Sequence, residues 1–405
     1  MEVCSIRLAI FHMGFVYTGG GERVAIYESI LLKERGYHVT CYAPAIRADA
    51  CFPDLIRQVD LRGFLPRVKM NLPLRDFLSM SVCSAIPRLI AHKFTTFDAF
   101  LCHGQPATWI GYCIARTLGK KYVCYLHQPT RFLYPRTIDQ QVGWKTKKDF
   151  ALLNDLVGLA RPLVQAFDHV SVTSGQTVLV NSGWIASQVK RIYGVLPLIC
   201  PPGVDIRKYT PRTERSSVRV GGSIIKTPYI LTTNRHYPQK GLEYALHIFA
   251  RIVKEFDIKL TVTGHFTSYT STLLKLADTL RIRDKLLLTG RVDETSLVSL
   301  YQNADVYIYT PPCEDFGLGP VEAMACGTTP VVWDYAGPAE TVNDGATGYK
   351  AKPYDIDDFA AKVMQLLSNS KLREEMGVKA ASFVRRHYSW DQHMDRLESV
   401  LRSLT

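Results

Sequence analysis

The chain has 405 residues, 47% of them hydrophobic, with ten cysteines and a formal net charge of +12. That length exceeds one ordinary core and fits two domains, while no apolar run reaches the roughly 18–20 residues a spanning helix requires. The cysteines are scattered singly, with no C-x-x-C pair and no Cys/His cluster at metal spacing, so a disulfide scaffold is excluded and reduced thiols in the cytosol are expected.

Apolar runs alternate with helical-period stretches along the chain, the pattern of parallel sheets covered by helices. The first residues, Met1 to Leu8, carry an early acid and no small-residue cleavage site, so no signal peptide is read there. Arg7 to Phe11 reads as a buried strand running into the glycine loop Gly19-Gly20-Gly21. Glu22 to Arg35 follows as a helix closed by Gly36, and Val39 to Ala43 as the next strand. From Arg62 to Lys93 the cations Arg62, Arg67, Lys69, Arg75, Arg88 and Lys93 face a lone Asp76 and are interleaved with large apolar residues. Basic and apolar residues together suit an anionic membrane surface. Nucleic acid would call for interleaved aromatics or a binding motif, and neither is found.

Phe97 to His103 and Lys121 to Leu126 read as strands that end at His103 and His127. In open α/β sheets the ligand crevice lies at such carboxyl ends. His169 to Thr173 and Thr177 to Asn181 are expected as further strands. The polar stretch Lys208 to Ser223 is expected as an exposed connection. A second α/β unit then runs through Tyr229–Thr233, Leu260–Gly264, Leu286–Thr289, Val306–Tyr309 and Thr329–Trp333, and a last helix opens near Tyr388-Ser389-Trp390.

Chemistry concentrates in a few places. Glu314 and Glu322 lie eight positions apart around Phe316-Gly317-Leu318-Gly319-Pro320. The small residues leave backbone N–H groups open, and the proline suits a first helical turn. A helix N-terminus with open amides favours anions, and a carboxylate on either side can accept hydrogen bonds from hydroxyls. Phosphate plus many hydroxyls describes a nucleotide sugar. Gly19 to Gly21 would let backbone approach a diphosphate or an acceptor, but the spacing is not G-x-G-x-x-G, which disfavours a nicotinamide cofactor. Arg235 and Lys240 share a loop after a strand and could neutralise a leaving diphosphate. The D-x-D at Asp355-Ile356-Asp357 sits where helix capping explains it. No metal is expected.

The segment from Thr310 to Thr329 resembles the E-x7-E signature of retaining glycosyltransferases of family four, which have the GT-B fold. Met13 to Val24 resembles that family's glycine loop, Tyr125 to Tyr134 its histidine segment, Asn234 to Leu242 its donor-phosphate loop, and Thr289 to Val292 its base-binding turn. Ile199 to Asp205 resembles its hinge. The resemblance implies two Rossmann-like parallel-sheet domains facing across a cleft. Residues 1–203 would form the acceptor domain, completed by 388–405, and residues 204–387 the nucleotide-sugar domain. It implies His127, Arg235, Lys240 and Glu314 as catalytic residues, with His127 contacting the donor sugar and steadying positive charge at its anomeric carbon. Gly20, Gly21, Arg291, Val292, Phe316, Gly317, Leu318 and Glu322 would bind the donor. His103 and Arg131 are acceptor candidates.

The histidine segment is similar to that of bacterial mannosyltransferases building lipid-linked or surface glycans. GDP-mannose is therefore the first donor expected and a UDP-hexose the second, with no cofactor. A GT-B sugar-nucleotide epimerase and a donor-binding scaffold are the alternatives. The expected location is peripheral, on the cytoplasmic face of a membrane.

Overall fold

The computed structural model describes residues 6–64, 90–131, 133–142, 151–212, 214, 216–220 and 222–404. These divide into two units. The first holds the chain to Arg136, Trp144–Pro202 and His393–Thr405, and the second holds Thr137–Gly143 and Gly203–Gln392.

The first unit is a seven-stranded parallel sheet. Its strands are β1 (Arg7–His12), β2 (His38–Ala43), β3 (Leu61–Gly63), β4 (Ala99–His103), β5 (Lys121–Leu126), β6 (Thr177–Val180) and β7 (Leu198–Ile199), in the order β3-β2-β1-β4-β5-β6-β7. β1, β2, β4 and β5 are buried almost throughout, as expected where helices cover both faces. Ala9, Phe11, Phe100, Cys102 and Cys124 pack in one cluster with Ala107, Ile110 and Ile114 of the helix Ala107–Leu118. The helix Gly20–Glu34 packs on β1 and β2.

The second unit is a six-stranded parallel sheet in the order β12-β11-β10-β13-β14-β15, with β10 at Tyr229–Thr233, β11 at Lys259–Thr263, β12 at Leu286–Gly290, β13 at Val306–Tyr309, β14 at Pro330–Trp333 and β15 at Tyr349–Ala351. Side chains alternate between its two faces. Ile230, Leu260, Ile308 and Val331 meet the helices Leu242–Ile252 and Ile356–Ser368. Leu231, Tyr307, Tyr309 and Val332 meet the helix Leu318–Ala325. The sequence places Rossmann-like parallel sheets in both halves, and that is the architecture found.

Three local expectations need correction. His169–Thr173 is not a strand but the end of the helix Ala151–Thr173. Its alternation misleads, because Thr173 Oγ1 donates to the His169 carbonyl one turn back at 2.8 Å, and the sheet position belongs to β6. Lys208–Ser223 is not simply exposed: it holds β8 (Val218–Val220), which pairs with β9 (Ser223–Ile225) as an antiparallel hairpin. Val218 and Val220 point into the core while Arg219 points out. The return to the first unit falls at His393 rather than Tyr388, because the Val204 N–H donates to the Tyr388 carbonyl at 2.7 Å and ties that segment to the second unit.

Of the basic stretch Arg62–Lys93, residues 65–89 lie outside the described residues. Arg62 pairs with Asp60 at 3.0 Å, and Lys93 donates to the Phe64 carbonyl at 3.4 Å. No helix among the described residues is long and apolar enough to cross a membrane.

Gly111 shows how closely helix and sheet meet, since a Cβ there would stand 2.2 Å from Cys102 Sγ. Gly111→Ala should therefore destabilise the protein by ~1–3 kcal/mol, the usual cost of overpacking. Adding Cys102→Ala, which removes the sulfur, should restore most of that loss. Denaturant unfolding of both variants measures it, and a single variant as stable as the parent would refute the packing argument.

Candidate active site

In the second sheet the strand order reverses between β10 and β13, so the loops leaving those two strands diverge and a crevice opens at their carboxyl ends. The loop after β10 carries Arg235 and Lys240, and the loop after β13 carries Glu314 and leads into the helix Leu318–Ala325. Lys240 Nζ pairs with Glu314 Oε2, and the Tyr309 hydroxyl donates to the same oxygen at 3.2 Å. Both partners keep some exposure, 23% and 17% of their side chains. They are held in place from below. Thr310 Oγ1 donates to the Gly241 carbonyl at 2.9 Å, and Trp333 Nε1 donates to the Thr310 carbonyl at 3.1 Å. Gly241 has a φ of 58°, and a Cβ on it would meet the Thr310 carbonyl at 2.5 Å, so the two loops approach as only glycine permits.

Arg235 is exposed, its guanidinium 5.7 Å from the Tyr237 ring centre. Gly317, with a φ of 86°, caps the helix Leu318–Ala325 without a side-chain hydrogen bond, and no acid lies in the first turn. Those first-turn amides suit an anion. Phe316 is buried beside them, against Tyr388. Glu322, four residues into the helix, accepts from the buried Tyr301 hydroxyl at 2.9 Å, and Tyr301 in turn meets Thr233 Oγ1 at 2.9 Å. Burial, and then the Glu322 charge, raise Tyr301 well above the usual tyrosine range, so it stays a neutral donor. Arg291 is exposed and Val292 half-buried on the turn after β12.

The first sheet reverses between β1 and β4. Its carboxyl ends gather histidines. His103 Nδ1 lies 3.2 Å from His127 Nε2, with the rings stacked at 25°. His103 Nε2 lies 2.7 Å from Glu28 Oε2, and Glu28 Oε1 lies 2.9 Å from His393 Nε2. His393 Nδ1 donates to the Pro201 carbonyl at 2.8 Å, with Cys200 Sγ 3.5 Å away. The Gly14 N–H donates to His12 Nδ1 at 3.1 Å.

The charges in this cluster follow from burial and neighbours. Burial opposes charge on Glu28, but the facing His103 and His393 outweigh it and bring the carboxyl down to about 2. Burial likewise opposes charge on His393, and Cys200 and Glu28 overcome it, lifting the ring to about 10. His12 drops to about 3, through burial first and the neighbouring His103 second. The same two causes, with His12 added, hold His127 well below the ordinary histidine range.

Gly20 and Gly21 open the helix Gly20–Glu34, and a Cβ on Gly21 would stand 3.5 Å from the His127 ring. Arg131 Nε donates to Gln128 Oε1 at 2.5 Å. The predicted residues thus fall into two groups. Gly20, Gly21, His103, His127 and Arg131 lie in the first unit, while Arg235, Lys240, Arg291, Val292, Glu314, Phe316, Gly317, Leu318 and Glu322 lie in the second. Sequence reasoning missed Tyr309, Tyr301, His12, Glu28 and His393. Glu28 left one readable sign: it stands in the run Val24–Ser29, every other member of which is buried and uncharged. Asp355 caps its helix by accepting from the Asp358 N–H, and Asp357 pairs with Arg251 at 2.8 Å. Among the described residues no group of three or more His, Cys, Asp or Glu is arranged to hold a metal ion.

Residues 18–208 match the family described as Glycosyltransferase Family 4, and residues 217–383 the family described as Glycosyl transferases group 1. The chain is 28% identical over 214 residues to the GDP-mannose-dependent monoacylated alpha-(1-6)-phosphatidylinositol monomannoside mannosyltransferase of Corynebacterium glutamicum, covering 50% of this chain and 55% of that protein. It therefore spans about half the length of that relative. It is 22% identical to the alpha-1,3/1,6-mannosyltransferase ALG2 of Dictyostelium discoideum over 98% of both chains. Two solved structures share the fold. Sucrose-phosphate synthase from Thermosynechococcus elongatus superposes with a TM-score of 0.77 at 17% identity, over 98% of this chain and 99% of that one. Anabaena HepE in complex with UDP and glucose superposes with a TM-score of 0.74 at 16% identity, over 98% of this chain and 100% of that one. With its two halves matched in that order along the sequence, the chain belongs to the family 4 glycosyltransferases, enzymes of the GT-B fold.

Proposed function

We propose that this glycosyltransferase moves mannose from GDP-mannose, with retention at the anomeric carbon, to a lipid-linked or surface-glycan acceptor. The observation that carries the donor site is the Lys240–Glu314 pair beside the open N-terminus of the helix Leu318–Ala325, at the reversal of the second sheet. The amides of Phe316, Gly317 and Leu318 meet the diphosphate and sugar. Arg235 and Lys240 offset the negative charge that grows on the leaving diphosphate, where fixed cations lower the barrier. Glu314 accepts from the sugar hydroxyls and Glu322 from the ribose, while the turn at Arg291 and Val292 flanks the base.

His127 is carried over as the residue that meets the sugar, and a neutral ring does not repel positive charge developing at the anomeric carbon. Substitution proceeds on one face through an oxocarbenium-like state, with the leaving phosphate as base for the acceptor hydroxyl. Gly20 and Gly21 remain donor-loop candidates, and Arg131 an acceptor candidate. Mannose is favoured by the names of the two mannosyltransferase relatives. A UDP-hexose is the second reading, supported by the UDP held in the Anabaena structure. Residues 1–203 with the last helix form the acceptor domain, and the enzyme works without a metal at the cytoplasmic face of a membrane, to which the cations of 62–93 draw it.

Three measurements test this reading. Arg235→Ala or Lys240→Ala should lower turnover ~10²-fold or more, the scale for losing one preorganised charge at a developing anion, with the folded state intact by circular dichroism. Near-normal transfer in both would sink the assignment. In a thermal-shift series with a chelator present, GDP at 100 times its Kd should stabilise the protein by ~2.7 kcal/mol. A shift with UDP alone would select the second donor, and a shift that requires added manganese or magnesium would overturn the metal-free site. Binding to anionic vesicles should be reversible and lost at high salt, because each basic residue near such a surface contributes ~1 kcal/mol. Replacing Arg67, Lys69 and Arg75 with Glu should abolish it; vesicle binding equal to the parent's would point to a soluble acceptor.

A further inference from the structure

The buried chain of groups in the first unit has a direction that hydrogen-bond chemistry dictates. A carbonyl oxygen only accepts, so His393 must donate its Nδ1–H to Pro201 O. An ionised carboxylate also only accepts, so His393 must donate Nε2–H to Glu28 Oε1 as well. A histidine donating from both nitrogens is an imidazolium, and it matches the Glu28 charge one for one. Glu28 Oε2 faces His103 Nε2 at 2.7 Å, without the alignment of a hydrogen bond, and its charge draws the ring's proton to that nitrogen. With a proton drawn to Nε2 by that contact, His103 turns Nδ1 to accept from His127 Nε2–H across 3.2 Å.

We propose that Glu28, His103 and His393 act as positioning residues that fix His127 as a neutral imidazole protonated on Nε2. The consequence is chemical. His127 turns a lone pair on Nδ1 toward whatever hydroxyl meets the ring, and carries no charge that would oppose a cationic transition state. The proposal rests on the assignment of His127 to the sugar site and adds the groups that set its tautomer. The rings are held in register by Tyr125, which stacks on His103 at 5.2 Å and lies tilted against His127 at 4.7 Å. Tyr125 itself donates to the Cys200 carbonyl at 2.5 Å.

The ionisable groups around the relay are His12 from the end of β1, Cys41 from β2, Tyr125 from β5, Cys200 after β7, and Arg396 from the last helix, which acts on Tyr125. The sign of the pH effect follows. His393 is raised in the folded state, so its contribution to stability is complete below about pH 6.5 and is lost as pH rises through about 10. Glu28 is lowered, so its contribution is complete above about pH 4.5 and is lost as pH falls through about 2.

Long-range proton–nitrogen spectra of the full chain labelled at histidine nitrogens read the tautomers directly. At pH 7, His127 should be protonated on Nε2 alone and His393 on both nitrogens. A His127 protonated on Nδ1, or a neutral His393, would overturn the proposal even if no variant folded. Glu28→Gln keeps the shape and removes the charge. It should turn His393 neutral, give His127 a mixture of tautomers, and lower kcat about 10- to 100-fold, the scale for removing the group that orients a working histidine, with KM for the donor little changed. Between pH 6.5 and 10 the parent's Tm should fall more steeply than the variant's; parallel curves would mean that His393 carries no charge.

His127→Ala separates the two claims. If that variant still transfers sugar at the parent's rate, the assignment of His127 fails and the relay with it. If it is inactive while Glu28→Gln shows the parent's kcat, pH profile and tautomers, the relay alone is refuted and Glu28 serves only to hold the last helix.

Discussion

Crossovers between parallel strands are right-handed, so a sheet that grows in both directions from its centre must send successive helices to opposite faces. The loops leaving the two central strands then part, and the carboxyl ends of those strands are left open. This constraint acts twice in the chain, between β1 and β4 and again between β10 and β13. Arg235, Lys240 and Glu314 lie in the loops just after β10 and β13, and His12 and His103 are the last residues of β1 and β4. The apolar strands beneath, buried on both faces, give those loops a rigid floor. Gly241 and Gly317 mark where the backbone comes closer to a neighbour than a larger residue allows comfortably.

The two open ends use charge differently. In the second unit Lys240 and Glu314 keep partial exposure, so a polyanionic ligand can displace water and compete for Lys240 without stranding Glu314 in a dry site. In the first unit Glu28, His103 and His393 are sealed, and their side chains reach no solvent. Such groups cannot exchange partners with a ligand. In the relay proposed above they present one arrangement of protons to the half-buried His127.

The division also explains what could be read from the residues in order. Strand and helix periodicity, glycine positions and short-range spacing all act over a few residues, so both sheets and the loops bearing Arg235, Lys240 and Glu314 were legible. Glu28 and His393 are 365 positions apart, and nothing local announces that they touch. Tyr309 and Tyr301 look like ordinary strand and helix aromatics until the fold turns their hydroxyls to Glu314 and Glu322. The end of the helix Ala151–Thr173 was misread because five residues of alternation satisfy a strand pattern and a helix equally well. The hairpin β8–β9 was hidden because Arg219 interrupts its narrow apolar side, Val218 and Val220, and points outward.

His393 comes from the last helix, yet it neutralises a carboxylate near the start of the chain. During synthesis on the ribosome, Glu28 and all the strands of the first sheet emerge long before His393 does. Until then the nascent first unit can either keep Glu28 in water, with the helix Gly20–Glu34 loosely docked, or bury it protonated. Neither state orders His103 and His127 as the finished protein does. Emergence of the last helix is therefore what brings Glu28 its partner His393, and a chain cut before that residue would carry both sheets with the carboxylate short of that partner.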